Sequence, residues 1–114
     1  MVLAFGKPIM QDNSDSSPLL RYQRQLWMKS ISTEGQHKIE QSSVLVIGAG
    51  GLGSPILYYL AAAGIGNIGI VDDDKISLSN LNRQILYNTN DLDQNKTFIA
   101  KQRIHDLNPQ ISLD

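Results

Sequence analysis

Apolar runs and polar stretches follow one another along the chain in an order that predicts alternating strands and helices. Two short runs rich in Val and Ile, residues 43–47 and 67–71, are typical of strands buried on both faces of a parallel sheet. The apolar segments 52–63 and 95–107 predict helices, and a third strand is expected at 110–113. This order predicts an α/β fold with right-handed crossovers between parallel strands.

The chain ahead of the first strand divides into a polar tail and two helices. Residues 1–18 are expected to form a flexible tail, because the Ser-, Asn- and Asp-rich stretch ending at Pro18 cannot bury enough surface to offset its ordering entropy. A rough apolar stripe over residues 19–30 predicts a first helix. The sequence Ser32-Thr33-Glu34 is an N-cap signal for a second helix that continues to residue 41.

Together these elements predict one α/β unit over residues 19–114. The expected architecture is a Rossmann-like parallel sheet with helices on both faces, preceded by the two N-terminal helices. A three-stranded sheet of this kind is covered on both faces only when more chain follows it. Since Asp114 comes immediately after the third strand starts, we expect an incomplete domain.

The composition excludes several classes of protein. The 114 residues allow one domain with a hydrophobic core, but not comfortably two. Ten Lys and Arg against eleven Asp and Glu give a net charge of -1, without the basic excess typical of nucleic-acid binders. No apolar run is long enough for a membrane span and no secretory signal is found, so a cytoplasmic protein is expected. The absence of cysteine excludes disulfides and Cys-ligated metal sites within these residues.

A cluster of glycines after the first strand is the clearest chemical signal. Seven of the nine glycines lie between Gly48 and Gly69, and Gly48, Gly50 and Gly53 form the pattern G-x-G-x-x-G, with Gly51 as an additional glycine. The motif follows a strand and opens a helix, which is the context that phosphate binding requires. We expect Gly48 to permit the tight turn, and Gly50 and Gly51 to let phosphate oxygens approach backbone N–H groups. Gly53 is expected to allow close packing of the helix on the strand.

Acidic residues end the second strand. Asp72 lies nineteen residues after Gly53, where a carboxylate can accept hydrogen bonds from ribose hydroxyls. Asp73 and Asp74 are interpreted as solvated turn acids. The glycines and Asp72 predict nucleotide binding, and a dinucleotide or ATP would fit this pattern equally well.

The next segment favours a triphosphate. Residues 79–84, with the sequence SNLNRQ, place an Arg and two Asn just beyond the second strand. Arg offers forked donors to phosphate oxygens, and Asn offers a neutral donor and acceptor, although both could also serve as loop ties or caps. Lys96 opens the following helix, where its charge could face the same phosphates. An NAD- or flavin-dependent oxidoreductase is the less favoured alternative, because it leaves this segment unexplained.

Ordered motifs over most of the chain resemble the ThiF/MoeB/HesA family, the bacterial-type relatives of the ubiquitin-activating enzymes. The motifs are RYQRQ at 21–25, VLVIGAGGLG at 44–53, AGIG at 63–66, DDD at 72–74, SNLNRQ at 79–84, Lys96, and LNP at 107–109. The resemblance runs from about Arg21 to the last residue, and it implies that residues 19–114 are the N-terminal nucleotide-binding part of a ThiF-type domain.

The resemblance implies ATP-dependent adenylylation of the C-terminal glycine carboxylate of a ubiquitin-like sulfur-carrier protein, in sulfur transfer of the thiamin or molybdopterin type. It places Gly51 against the α-phosphate and Asp72 on the ribose, and it implies that Arg24 reaches into the site of the partner subunit in a homodimer. The expected catalytic cations are Arg24, Arg83 and Lys96. The expected nucleotide-binding residues are Gly48, Gly50, Gly51, Gly53, Asp72, Ser79, Asn80, Leu81, Asn82, Arg83 and Lys96.

The resemblance also implies cofactors and partners. Mg²⁺ is expected with the ATP, its main protein ligand lying beyond Asp114, and the zinc of the family has no ligands in this chain. No metal-binding residue is therefore predicted. The expected partner is a small carrier ending in Gly-Gly, with no nucleic acid and no membrane. The alternative is a truncated, non-catalytic module that binds ATP or pairs with a complete subunit.

Overall fold

A three-stranded parallel sheet is the centre of the structure. The computed structural model describes residues 18–114, so the predicted tail lies outside the described residues except for its last position. The strands are β1 (Ser43–Ile47), β2 (Asn67–Val71) and β3 (Ser112–Leu113), in the order β1-β2-β3. The helices are α1 (Gln23–Leu26), α2 (Ser32–Glu40), α3 (Gly53–Ala63) and α4 (Lys96–Leu107), with 3-10 turns at Pro18–Tyr22, Leu78–Asn80 and Thr89–Asp91. The predicted order of strands and helices is confirmed.

Register and crossovers bring the ends of the strands to one edge of the sheet. Val46 of β1 lies opposite Ile70 of β2, and Ile68 of β2 lies opposite Leu113 of β3. The strands are parallel, so the residues that follow β1 and β2 emerge at the same edge. This edge, the carboxyl edge of the sheet, therefore carries both the glycine loop and the acids after β2.

The two crossover helices pack on one face of the sheet. One hydrophobic cluster joins β1, β2, α3 and α4; its fully buried members include Leu57, Ile68, Ala100 and Ile104. The opposite face is open within residues 18–114, because Leu45, Ile47 and Val71 are 62%, 78% and 52% exposed. The Rossmann-like parallel sheet is thus confirmed. The expected burial of its strands on both faces is not reached within these residues.

The predicted helix over residues 19–30 is wrong in extent. The structure has a 3-10 turn, the four-residue helix α1, and turns that lead into α2. Long-range contacts fix this segment: Gln25 Nε2 donates to the carbonyl oxygen of Ala63 at 2.8 Å, and the buried Tyr22 hydroxyl accepts from Asn108 Nδ2 at 2.8 Å. Such tertiary anchors override a weak helical pattern.

The second N-terminal helix is confirmed, but its predicted cap is not. The N-cap of α2 is Ile31, with no side-chain hydrogen bond, and Ser32 has φ 55°. The preceding turn supplies the first acceptor, because the N–H groups of Ile31 and Ser32 both donate to the carbonyl oxygen of Met28. The helix therefore starts from this turn rather than from a serine cap.

No helix among residues 18–114 combines the length and the apolar character that a membrane crossing needs.

Candidate functional site

The loop between β1 and α3 has the tight geometry that its glycines predict. Gly48 has φ 93°, a conformation that side chains disfavour. A Cβ on Gly53 would overlap the carbonyl oxygen of Gly48, so only glycine lets α3 start this close to the strand. The structural roles expected of Gly48 and Gly53 agree with this geometry.

The same loop presents unused backbone donors. Within the described part of the chain, no backbone hydrogen bond takes up the N–H groups of Gly50, Gly51 and Leu52. These groups precede α3, an eleven-residue helix whose N-terminus carries a partial positive charge. Free N–H groups at such a helix end form a favourable position for an anion.

Asp72 joins the glycine loop to the end of β2. Its Oδ2 accepts from the N–H of Ala49 at 2.8 Å, and its Oδ1 accepts from the N–H of Asp74 at 2.9 Å. A carboxylate has about four acceptor positions, so each oxygen keeps one for a further donor such as a ribose hydroxyl. Asp72 is thus at the predicted place, with acceptor capacity left over.

Tyr87 holds the other side of Ala49. The buried Tyr87 hydroxyl donates to the carbonyl oxygen of Ala49 at 2.8 Å and lies 3.5 Å from the carbonyl oxygen of Lys96. Burial, and secondarily the charge of Asp72, raise the pKa of the Tyr87 hydroxyl above its ordinary value, so this donor keeps its proton. Both polar groups of Ala49 are therefore fixed by side chains from later in the chain.

Arg83 lies over the glycine loop, as the predicted site requires. A Cβ on Gly51 would stand 3.4 Å from Arg83 Cδ and 3.5 Å from Arg83 Nε. Arg83 Nη1 donates to the carbonyl oxygen of Ser79 at 3.1 Å and to Asn82 Oδ1 at 3.0 Å. Asn82 and Ser79 thereby hold the guanidinium beside Gly51, where it remains exposed to a ligand.

Asn80 shapes the same segment. Its Oδ1 accepts from the N–H of Ser77 at 2.9 Å, and its carbonyl oxygen accepts from the N–H groups of Arg83 and Gln84. Part of the loop-tie interpretation is therefore correct for Asn80. Its Nδ2 group stays available as a donor within the described segment, while Leu81 packs partly buried against the core.

Lys96 reaches the carboxyl edge from the first turn of α4. Its Nζ lies 3.0 Å from Asp74 Oδ2, and its side chain is 5% exposed against 67% for Asp74. The backbone N–H of Lys96 also donates to the carbonyl oxygen of Asp74 at 3.1 Å. Asp74 is therefore exposed, as expected of a turn acid, and it also pairs with the buried Lys96 ammonium, a contact that the sequence interpretation did not include.

Three acidic side chains lie close together after β2. Carboxylate oxygens of Asp72, Asp73 and Asp74 lie within 4.8 Å of one another. Asp72 accepts two backbone donors and Asp74 pairs with the Lys96 ammonium, while Asp73 makes no described contact. Each carboxylate keeps acceptor positions, but a divalent cation takes about six oxygen ligands, so these three acids alone would not complete its coordination.

Arg24 is not brought to this site. Its guanidinium carbon lies 5.0 Å from the centroid of the Trp27 ring. The neighbouring Gln25 donates a hydrogen bond to the carbonyl oxygen of Ala63, at the end of α3 farthest from the glycine loop. The eleven residues of α3 separate its two ends by about 16 Å, farther than an arginine side chain extends.

Two buried residues at the site were not predicted from the sequence. Tyr87 follows Ile85 and Leu86 and is typical of core packing in a sequence pattern, whereas Gln84 ends the SNLNRQ motif without a predicted role of its own. The structure places the Tyr87 hydroxyl on Ala49 and the Gln84 amide against Gly50. Only the adjacency of Gln84 to Arg83 was a signal in the sequence.

Comparison with known proteins agrees with this geometry. The ThiF family model matches residues 22–114. A protein of Porphyra purpurea named probable molybdopterin-synthase adenylyltransferase is 57% identical over 89 residues, which are 78% of this chain and 23% of that protein. The sulfur carrier protein ThiS adenylyltransferase of Escherichia coli is 49% identical over 94 residues, 82% of this chain and 38% of that protein.

A solved structure gives the same architecture. The crystal structure of E. coli MccB with ATP matches with a TM-score of 0.76 at 32% identity, over 92% of this chain and 32% of that chain. The chain therefore spans well under half the length of the relatives and of the solved structure that it matches.

Proposed function

Because this chain belongs to the ThiF family, we propose that it forms the ATP-binding half of an enzyme that adenylylates the C-terminal glycine carboxylate of a ubiquitin-like sulfur carrier. The observation that carries this proposal is the position of the Arg83 guanidinium beside Gly51, whose N–H is unused among the described residues. A cation above free N–H groups suits a phosphate. Two relatives are named sulfur carrier protein adenylyltransferases, and these names support adenylylation of a sulfur carrier as the reaction.

In this proposal the triphosphate binds between the glycine loop and two cations. Gly50 and Gly51 would donate backbone N–H groups to the α-phosphate, and Arg83 and Lys96 would contact the other phosphate oxygens. Lys96 has three N–H donors and spends one on Asp74, so two remain for a ligand. Asp72 would hold the ribose through its remaining acceptor positions.

The proposed reaction needs positioning and charge neutralisation rather than a general base. The carrier carboxylate is already ionised and attacks the α-phosphorus, forming a carboxyl–phosphate bond. The bond between the α-phosphorus and the bridging oxygen breaks, and pyrophosphate leaves with the electron pair. Arg83 and Lys96 would stabilise the charge that develops on the phosphate oxygens.

Mg²⁺ would supply further charge neutralisation at the phosphates, and its main protein ligand is expected beyond Asp114. The zinc of the family would likewise lie outside this sequence.

The distance of Arg24 from the glycine loop of its own chain supports a homodimer. In this chain Arg24 lies near the far end of α3, about 16 Å from the glycine loop by the length of that helix. We propose that it serves the site of a second copy, as the family resemblance implies. In this proposal the protein is a cytoplasmic enzyme of thiamin or molybdopterin type sulfur transfer.

A non-catalytic module is the second candidate. The chain spans 23% of one relative and 38% of another, and all the phosphate contacts proposed above lie within that share. Such a module would bind ATP, or pair with a complete subunit and lend it Arg24.

ATP–pyrophosphate exchange with a carrier ending in Gly-Gly separates the two candidates. The enzyme proposal expects exchange by the chain alone or, in a mixture with a complete relative, exchange above that of the relative alone, and a fall of about a hundredfold for Arg83→Gln and Lys96→Met. The matched control Lys38→Met removes an exposed lysine of α2 and should leave exchange unchanged. ATP binding without exchange would support the module, and stronger displacement of bound ATP by NADH than by ATP would contradict both.

Arg24 is tested by complementation. Arg24→Ala and Lys96→Met are each expected to be inactive alone, and a mixture should regain part of the activity through hybrid dimers. No recovery in a mixture shown to form hybrid dimers would contradict the proposal that Arg24 acts on the partner.

A further inference from the structure

Gln84 is a buried polar side chain without the partners that burial normally requires. The residue is 4% exposed, and its Oε1 accepts no hydrogen bond from the described residues. Buried polar atoms are nearly always paired, so an orphaned oxygen in the core needs a reason. A leucine or methionine would fill a similar volume without leaving a polar atom unpaired.

The backbone fixes where this amide lies. The N–H of Gln84 donates to the carbonyl oxygen of Asn80 at 2.9 Å, and its carbonyl oxygen accepts from the N–H of Tyr87 at 3.2 Å. A Cβ on Gly50 would stand 3.5 Å from Gln84 Nε2 and 3.9 Å from Gln84 Cδ. The side chain therefore lies against the glycine loop, next to the point where Arg83 covers Gly51.

The oxygen and the nitrogen of the Gln84 amide differ in their access to a ligand. Oε1 is enclosed and has no accessible surface to offer a ligand. Nε2 is the amide atom nearest to Gly50, and none of the hydrogen bonds among residues 18–114 uses it. An N–H donor beside a glycine whose own N–H is unused suits an oxygen anion seated on that glycine.

We propose that Gln84 is a further nucleotide-binding residue, whose Nε2 donates a hydrogen bond to a phosphate oxygen held on the glycine loop. This inference rests on the proposed function, and it extends the set of phosphate contacts by a neutral donor. A neutral donor binds the phosphate of ATP and of the acyl-adenylate alike. With Oε1 enclosed, Nε2 is the amide atom that faces the loop.

The proposal predicts opposite effects on binding and on stability for Gln84→Met. Loss of the donor should weaken ATP and AMP about tenfold or more, since a hydrogen bond to a charged group is lost. Adenosine, which has no phosphate, should bind as before. Unfolding without nucleotide should need the same or a higher denaturant concentration, because an unpaired buried oxygen has been removed.

The measurement is calorimetric titration of the 114-residue chain with ATP, AMP and adenosine, beside urea unfolding of the same samples. Gln84→Glu is the second variant; it keeps the size, replaces Nε2 by an acceptor, and should weaken ATP further, most strongly at low salt. Gln102→Met is the matched control, because Gln102 is exposed on α4 and should change neither readout.

Each outcome decides the matter. Unchanged affinity of Gln84→Met for ATP and AMP, with wild type binding normally, would overturn the role of Gln84 and leave the proposed function standing. Loss of stability with equal weakening of all three ligands, or failure of both variants to fold, would show a structural amide. A wild-type chain that binds none of the ligands would overturn the proposed function and this inference with it.

Discussion

Lys96 and Asp74 are joined twice, through their side chains and through their backbones. Nζ of Lys96 lies 3.0 Å from Asp74 Oδ2, while the N–H of Lys96 donates to the carbonyl oxygen of Asp74 at 3.1 Å. The neighbouring bridge between Lys75 and Asn95 extends this connection. These contacts fix the first turn of α4 to the loop after β2. The two elements together set the position of the Lys96 ammonium.

Asp74→Asn is expected to destabilise the chain by about 0.5–1 kcal/mol, because it leaves a buried ammonium without its carboxylate. The value is small because the Asp74 side chain is 67% exposed and water screens the pair. Asp73→Asn removes the same charge and is the matched control. Urea unfolding measures the difference, and equal effects of the two variants would contradict a specific role for Asp74.

Gly53→Ala should disrupt the start of α3. The added Cβ would overlap the carbonyl oxygen of Gly48, a backbone atom that cannot rotate away. We expect a loss of about 2–3 kcal/mol in the free energy of unfolding. Gly50→Ala is the control, because its Cβ would make only ordinary contacts, at 3.5 Å, with the Gln84 side chain. Similar stability of the two variants would show that the turn relaxes.

Tyr87→Phe should both lower stability and change its pH dependence. The loss of the donor to Ala49 is expected to cost about 1–2 kcal/mol near neutral pH. The folded state raises the pKa of Tyr87 above the ordinary value of 10.0. The hydroxyl thus contributes its full stability below about pH 10, and that contribution falls as the unfolded chain ionises above it.

Unfolding at pH 8 and at pH 11, for wild type and Tyr87→Phe, measures this effect. The wild type should lose more stability between the two pH values than the variant, because the other tyrosines are common to both. The same loss in both proteins would contradict the assignment of the raised pKa to a buried, bonded hydroxyl.

Arg103→Met should be among the most destabilising changes in α4. Arg103 Nη2 donates to both carboxylate oxygens of Asp91, at 2.9 and 2.7 Å, and the Asp91 side chain is 7% exposed. Removing the guanidinium leaves a buried carboxylate, at a cost of about 3 kcal/mol. Arg103→Met combined with Asp91→Asn should recover part of the loss. A double variant less stable than Arg103→Met would contradict this explanation.

Short sequence patterns were enough to predict the elements that are determined by residues close together in the chain. β-branched runs and glycine spacing predicted β1, β2 and the turn at Gly48, and Asp72 followed from its distance to Gly53. The Asp74 pair and the Tyr87 bond were not predictable, because their partners lie 22 and 38 residues away in sequence. The predicted helix over residues 19–30 was wrong for the same reason, since its shape depends on Ala63 and Asn108.

The hydrogen bond between Tyr22 and Asn108 has a consequence for the order of folding. Its partners are 86 residues apart, and Asn108 also holds the end of α3 through the carbonyl oxygen of Ala61. A chain emerging from the ribosome can build β1, α3 and β2 early, but it cannot seat Tyr22 until residue 108 is free of the exit tunnel. Closure of such a long loop is slow, so Tyr22 is expected to dock later than Gln25, whose partner Ala63 emerges earlier.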